Sequence, residues 1–236
     1  MKKDEDGNGR KQEWHYPSVI GQMNYLSGTT RPDIFFAVHQ CAKYSIYPKQ
    51  SHKEAVKSIG RYLKKTKDKG LVFTPNGSNG LECYANVDLA GAWCREDADQ
   101  VESVLSRTGY IIKFVNFPIV CVSKIQIKIA LSITEAEYIS LSQIMRDLIP
   151  LRHIMLEVSS VFGMKFDSCN SCTTTFKDNK GEIELAKEPK YRPRTKHLSI
   201  KWHHFREHIK RGTSKTVYVE TNEQQADIMT KPLAKP

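Results

Sequence analysis

Carboxylate side chains in four separated segments are the groups of this chain best suited to chemistry. The segments cover residues 84–88, 134–138, 176–179 and 226–230. Carboxylate oxygens are the hard ligands that Mg²⁺ prefers, and several must converge from distant parts of a chain to hold two such ions. The order and context of the four segments suit a core of sheet and helices that gathers carboxylates in this way. The first segment, however, centres on Asn86, which offers a neutral amide.

The pattern of apolar residues and turn signals predicts the elements that must position these groups. Helices are expected within residues 17–67, followed by a short strand at 71–74 and a turn-rich boundary at 75–80. Beyond the boundary we expect strands at 81–87, 108–115 and 118–124, a helix at 134–157, a strand at 173–178, a helix at 181–188, a basic helix at 200–210, a strand at 215–220 and a closing helix at 223–230. A hairpin followed by alternating units implies an α/β fold, with a mixed sheet and helices on both faces.

The helix predicted at 134–157 carries one buried stripe headed by a carboxylate. Its members recur at steps of three and four: Glu137, Leu141, Ile144, Leu148, Leu151 and Met155. Glu135 lies about 200° round the helix from Glu137, so the two cannot both face the sheet. A carboxylate on a buried stripe needs a metal or a donor as partner. The alternative is that Glu137 only favours the helix N-terminus electrostatically.

The bulk composition favours a polyanion as partner. The chain has 236 residues and a net charge of +10, which suits phosphate neutralisation, although a merely soluble basic protein is the alternative. Residues 1–16 are polar and predict a disordered leader. On the helix that follows residue 51, the basic side chains are either solvated or in contact with a nucleic-acid backbone: Lys57, Arg61, Lys64 and Lys65.

The six cysteines do not form a disulfide pattern. They are scattered, and no signal peptide or long apolar run accompanies them, which indicates reduced thiols, an intracellular protein and no membrane partner. Cys169 and Cys172 have the spacing of a zinc knuckle, but no second Cys or His pair lies at a matching distance.

An ordered series of short phrases resembles one known family. Residues 16–236 are similar to the C-terminal end of Pol polyproteins from copia-type LTR retrotransposons. Each phrase alone is weak, but the whole series in order is specific: Gly21–Leu26, Thr30–Ile34, Arg61–Lys64, Tyr84–Gly91, Ser106–Tyr110, Thr134–Ile139, Arg194–His197 and Ala226–Leu233.

The resemblance implies a two-part organisation and an activity. Residues 17–75 would be the helical C-terminal tail of a reverse transcriptase, and residues 78–232 a ribonuclease H-like domain with a five-stranded sheet. That activity cuts the RNA strand of an RNA–DNA hybrid with two Mg²⁺ ions. The rest of the Pol polyprotein would be a further partner. Family context implies cytoplasmic particles, with nuclear entry left open.

The resemblance also assigns site residues. Glu137, Asp178 and Asp227 match the metal-binding carboxylates, and Asn86 stands where the family has its first-strand aspartate. An asparagine provides neither a negative charge nor a bridging carboxylate, so the activity is expected to be weak or absent. Asp88 faces the same side of the strand as a substitute, but about 7 Å further along. Lys177 also departs from the family, which usually has a small or apolar residue there.

The segment 187–215 alternates cations with aromatic residues. The aromatic Trp202 and Phe205 are expected to pack in the core, and the cations with one histidine to contact a nucleic-acid backbone: Lys190, Arg192, Arg194, Lys196, His197, Lys201, Arg206, Lys210 and Arg211. His197 has the alternative of capping the basic helix.

Three functional hypotheses therefore remain. The chain is an active or weakened ribonuclease H, a non-catalytic nucleic-acid-binding remnant of the same fold, or a relic without a selected role. Residues that complete a reverse transcriptase, such as a Tyr-x-Asp-Asp motif, do not occur in the sequence.

Overall fold

The structure is a computed structural model that describes residues 7, 14–74, 80–91, 93, 95, 101–163, 173–179 and 206–232. Its contacts divide the chain into two compact units, one of Met1–Val72 with Lys231–Pro236 and one of Phe73–Thr230. The boundary lies close to the turn-rich segment in which the sequence predicts it.

The first unit is helical. Its elements are α1 (Tyr16–Thr29), a 3-10 turn (Pro32–Ile34), α2 (Phe35–Ala42) and α3 (Gln50–Lys65). Apolar side chains from all of them pack together: Tyr16, Ile20, Met23, Ile34, Val38, Cys41, Val56 and Ile59. The cationic side of α3 is exposed, as its helical spacing predicts.

A partly buried polar network links two elements of this helical unit. The Arg31 guanidinium donates to Asp33 at 2.8 Å and 3.0 Å, and also to the Thr66 carbonyl oxygen at 3.0 Å. The Tyr62 hydroxyl donates to the same Asp33 carboxylate at 2.8 Å. Two of the family phrases, at 30–34 and 61–64, therefore meet as a structural clasp between the turn before α2 and the end of α3.

The second unit is an α/β domain with one mixed sheet. Its strands are β1 (Leu81–Asp88), β2 (Arg107–Phe114), β3 (Phe117–Ile125), β4 (Thr173–Lys177) and β5 (Ser214–Tyr218). The helices whose bounds lie within the described residues are α4 (Val101–Val104), α5 (Ile133–Phe162) and α6 (Asp227–Thr230), and residues 206–210 are helical as well. The strand order is β3-β2-β1-β4-β5. The β1–β2 and β2–β3 pairs are antiparallel, whereas β1–β4 and β4–β5 are parallel.

Helices cover both faces of this sheet. The face that carries Cys83 and Ala85 packs against the apolar stripe of α5. The other face carries Asn86 and Gly109, which are paired across β1 and β2, and both contact α6. The predicted fold class, a five-stranded mixed sheet with helices on both faces and a helical unit before it, is confirmed.

Some predicted elements differ in the structure. Residues 71–74 form no strand, since Val72 and Phe73 are exposed at 78% and 60% and no strand pairs with them among the described residues. The closing helix begins at Asp227 rather than near residue 223, because a 3-10 turn (Thr221–Glu223) precedes it. The helix predicted at 181–188 and the leader at 1–16, except residues 7 and 14–16, lie outside the described residues. None of the described helices combines the length and hydropathy needed to cross a bilayer.

Candidate active site

The candidate site lies where the parallel strands β1 and β4 end. Tyr84 of β1 is paired with Phe176 of β4, and their rings stack with centroids 4.7 Å apart. When this register is extended by two residues, the backbone of Asp178 lies beside that of Asn86. The carboxyl ends of two neighbouring parallel strands therefore present the first and third predicted site residues at the same edge of the sheet.

The amide of Asn86 is held in one orientation by its neighbours. Its nitrogen Nδ2 donates to Asp227 Oδ1 at 2.5 Å and to Thr230 Oγ1 at 3.0 Å. Its oxygen Oδ1 accepts from the Val87 backbone N–H at 2.7 Å. A reversed amide would set oxygen against the Asp227 carboxylate and N–H₂ against an N–H donor, so the chemistry of the neighbours fixes the assignment. Asn86 thus presents a donor to Asp227, where an aspartate would present an acceptor.

Helix α6 can bring Asp227 to Asn86 because the residue of β2 that it packs on, Gly109, has no side chain. A Cβ atom on Gly109 would lie 2.6 Å from Thr230 Cγ2 and 2.7 Å from Met229 Cβ. The Ser123 hydroxyl, on β3, donates to the Met229 carbonyl oxygen at 2.5 Å. A glycine and a serine on adjacent strands therefore seat α6 directly on the sheet.

The first turns of α5 are anchored so that Glu137 faces the sheet. Ser132 caps the helix by accepting from Glu135 N–H at 3.1 Å, and Glu135 Oε2 accepts from the Leu131 N–H at 2.9 Å. Gln126 donates from Nε2 to the Ala136 carbonyl oxygen at 2.8 Å. Glu135 thus serves the cap, while Glu137 points inward with 3% of its surface exposed, as the stripe predicts.

Glu137 is paired with a lysine. Lys177 Nζ donates to Glu137 Oε2, and the Lys177 side chain is fully buried while that of Glu137 is 5% exposed. Lys177 is the last residue of β4, and the alternation of buried residues along that strand turns it towards the α5 face of the sheet. An ammonium group therefore lies at the carboxylate that the resemblance assigns to a metal.

Asp88 lies at the far end of the β1–β2 ladder, opposite Arg107. Its carboxylate turns back over the following bend, since a Cβ atom on Gly91 would lie 1.7 Å from Asp88 Oδ2. Burial lowers the pKa of Arg107 to about 10, although the charge of Asp88 opposes this shift. The substitute role for Asp88 stays a prediction, and its carboxylate is directed at the turn rather than along the strand.

The residues at this site do not fit a pair of Mg²⁺ ions. The predicted ligands form two contacts, Asn86 with Asp227 and Glu137 with Lys177, rather than one group. Among the described residues, no three Asp, Glu, His or Cys side chains are grouped so that they could hold a metal ion. Both polar atoms of the Asn86 amide are engaged, and one carboxylate already has a cationic partner.

The predicted nucleic-acid contacts are described only in part. Residues 206–210 are helical, and Lys210 and Arg211 are exposed while Arg206 is half-buried. Arg211 donates to Glu207 Oε1 at 2.6 Å, one turn away on the surface. The other predicted contacts lie outside the described residues: Lys190, Arg192, Arg194, Lys196, His197 and Lys201. Cys169, Cys172, Trp202 and Phe205 lie outside them too.

The roles of three residues at this site do not follow from the family resemblance. The spacing of Lys177 from Thr173 and Thr175 places it on the buried side of β4, which is the sequence signal of a buried cation. Thr230 and Gly109 carry no local signal, because their function arises from the approach of α6 to β2.

Comparisons with known proteins relate the chain to transposon proteins. No family model matches the chain. The chain is 34% identical over 229 residues to the retrovirus-related Pol polyprotein from transposon TNT 1-94 of Nicotiana tabacum, covering 97% of this chain and 16% of that protein. It is 30% identical over 220 residues to the Pol polyprotein from transposon RE2 of Arabidopsis thaliana, covering 93% of this chain and 14% of that protein.

Two further similarities are shorter or more distant. The secreted RxLR effector protein 161 of Plasmopara viticola is 38% identical over 128 residues, which is 54% of this chain and 84% of that protein. Among solved structures, a foamy viral protease-reverse transcriptase in complex with double-stranded DNA has a TM-score of 0.42 at 13% identity, covering 86% of this chain and 31% of that one.

The Pol polyproteins are matched across almost the whole chain, whereas the chain spans only about a seventh of their length. The sequence phrases, the mixed sheet with helices on both faces and these relatives agree. This chain is related, over almost its whole length, to a segment of the retrovirus-related Pol polyproteins of copia-type transposons.

Proposed function

We propose that the chain is a ribonuclease H-like segment of a retrotransposon Pol protein that binds RNA–DNA hybrids and cleaves their RNA strand weakly or not at all. The observation that carries this proposal is the hydrogen bond from Asn86 Nδ2 to Asp227 Oδ1, at the end of the central parallel strand. The ancestral residue there is an aspartate by resemblance, and it would carry a charge that the amide lacks.

The chemistry of hybrid cleavage explains why this difference matters. Two divalent ions, Mg²⁺ in the family, supply an activated water and stabilise the leaving oxygen. The chain's own residues would have to hold those ions with converging carboxylates. Asn86 instead donates to one carboxylate, and Lys177 pairs with another, so the residues favour a closed site.

Nucleic-acid binding is the part of the function that the remaining residues support. The net charge is +10, and exposed cations lie on α3 and at residues 210–211. Binding through phosphate neutralisation depends on counterion release and needs no metal. A relic without a selected role is the competing hypothesis, and it predicts no preference for a hybrid over duplex DNA.

The test uses a labelled RNA–DNA hybrid with the whole chain in Mg²⁺. We expect binding that weakens steeply with salt, and cleavage within about tenfold of the rate of the Asp227→Asn variant, which serves as a matched control. Removing a directly participating ligand can plausibly cost several kcal/mol of barrier, and each ~1.4 kcal/mol is tenfold in rate. Cleavage by the unaltered chain at well over tenfold the control rate would contradict the proposal, as would equal affinity for hybrid and duplex DNA.

A further inference from the structure

The Lys177–Glu137 pair lies on the α5 face of the sheet, opposite the face that carries Asn86, and bears on whether Glu137 can bind a metal ion. Its two side chains are almost completely removed from solvent, at 0% and 5% exposure. A buried lysine is costly unless a negative partner and hydrogen bonds offset the loss of hydration. A lysine at this position therefore has to be accommodated by a carboxylate, and the structure provides Glu137.

The position of the ammonium group is as informative as its burial. Lys177 directly precedes Asp178, and the β1–β4 register extended by one residue places it beside Ala85, which precedes Asn86. The Lys177 side chain reaches the α5 face of the sheet, where Glu137 comes in from the second turn of its helix. A covalently tethered cation thus lies at the α5 carboxylate that the resemblance assigns to a metal.

Two changes at this site act in the same electrostatic direction. The amide of Asn86 removes one negative charge, and the ammonium of Lys177 cancels another. A divalent cation is bound by net negative charge and open oxygen ligands, so each change lowers its affinity independently. The misfit to a metal pair therefore has two separate causes on neighbouring strands.

We propose that Lys177 is a built-in cation that takes the place of a metal ion at Glu137, so that the site is closed to divalent cations even when residue 86 is an aspartate. This inference rests on the proposed function, since it treats Glu137 as part of the ancestral site. It adds that Asn86→Asp alone does not restore the binding of divalent cations, and that Lys177 must be replaced as well.

The experiment measures Mn²⁺ binding by calorimetry and electron paramagnetic resonance, without nucleic acid, on the whole chain. The variants are Asn86→Asp, the pair Asn86→Asp with Lys177→Met, and a control pair Asn86→Asp with Lys215→Met. Lys215 is exposed on the adjacent strand β5, and both double variants have the same net charge because each replaces one lysine by methionine. Methionine keeps much of the lysine volume in the buried position.

We expect the Lys177 pair to bind Mn²⁺ roughly 10- to 100-fold more tightly than either other variant, the range that changes around metal ligands produce. Equal Mn²⁺ affinity in Asn86→Asp and in the Lys177 pair would overturn the inference, and so would a folded Lys177 pair that gains no affinity. Circular dichroism shows whether each variant folds.

Should the Lys177 pair fail to fold, the single variant still decides the question. Asn86→Asp leaves the lysine in place, and tight Mn²⁺ binding by this variant overturns the inference, whereas binding as weak as that of the unaltered chain supports it. Because nucleic acid is absent, these outcomes are separate from those of the hybrid assay, which tests the proposed function.

Discussion

At the scale of single residues, the candidate site differs from a carboxylate cluster by one atom at residue 86 and one side chain at residue 177. Replacing an oxygen by NH₂ converts an acceptor into a donor, and Asp227 accepts from it at 2.5 Å. Lys177 then provides a buried donor to Glu137. The local polar groups are satisfied by each other, which is the condition for burying them.

The Lys177–Glu137 pair should make removal of either partner alone far more costly than removal of both. Lys177→Met leaves a buried carboxylate without its cation, and we expect a loss of about 3–5 kcal/mol in the free energy of unfolding. Adding Glu137→Gln should recover most of that loss. Urea unfolding of the two single variants and the double variant gives the coupling; additive losses in that cycle would show that the two groups do not depend on each other.

At the scale of elements, the site depends on how closely α6 approaches the sheet. The pairing of Asn86 with Gly109 across β1 and β2 aligns the amide with the one residue type that leaves room for α6. Helix α5 approaches the opposite face and is held there by its cap and by Gln126. Residues from two helices on opposite faces thus reach the same end of the central strands.

Gly109→Ala should displace α6 and loosen the site. Its methyl group would meet Thr230 Cγ2 and Met229 Cβ at under 3 Å, at 2.6 Å and 2.7 Å. We expect a loss of about 1–3 kcal/mol, typical of overpacking, and faster amide exchange in residues 227–230. The control is Gly60→Ala in α3, where nothing lies within 4 Å of the added atom. That change should stabilise its helix by about 1 kcal/mol, and an unaltered exchange rate at 227–230 in Gly109→Ala would contradict the expectation.

At the scale of the whole molecule, the chain consists of a helical unit and an α/β unit. The family phrases have different roles in the two units. In the helical unit, phrases 30–34 and 61–64 supply Arg31, Asp33 and Tyr62 of the clasp, which Thr66 completes. In the α/β unit, phrases 84–91, 106–110, 134–139 and 226–233 supply the strands, glycine and helices of the candidate site. Sequence similarity to the family in both units therefore includes residues that hold the fold together as well as residues of the candidate site.

The clasp predicts acid sensitivity of the helical unit. Burial raises the pKa of Asp33, but the hydrogen bonds from Arg31 and Tyr62 outweigh it and hold that pKa below its ordinary value of 3.8. A carboxylate whose pKa is lower in the folded state stabilises that state above pH 3.8, and this contribution disappears as the pH falls through the folded-state pKa.

Hydrogen exchange of α3 measured between pH 5 and pH 2, corrected for the intrinsic rate, checks this expectation. Asp33→Asn should lower the opening free energy of α3 at neutral pH by about 1.5 kcal/mol, the loss of a charged hydrogen-bond partner, and should flatten its dependence on acid. The same slope in the variant and the unaltered chain would assign the acid sensitivity to other carboxylates.

The sequence by itself determined the α/β class, the three leading strands, the inward direction of Glu137 and the family. Each follows from local periodicity or from an ordered series of phrases, and both of these can be read from the sequence alone. Only the tertiary structure decided which groups share a hydrogen bond. Asn86 and Asp227 are separated by 141 positions and Lys177 and Glu137 by 40, so no local pattern registers their contact. The close packing of α6 on Gly109 and the parallel pairing of β1 with β4 bring these distant groups together.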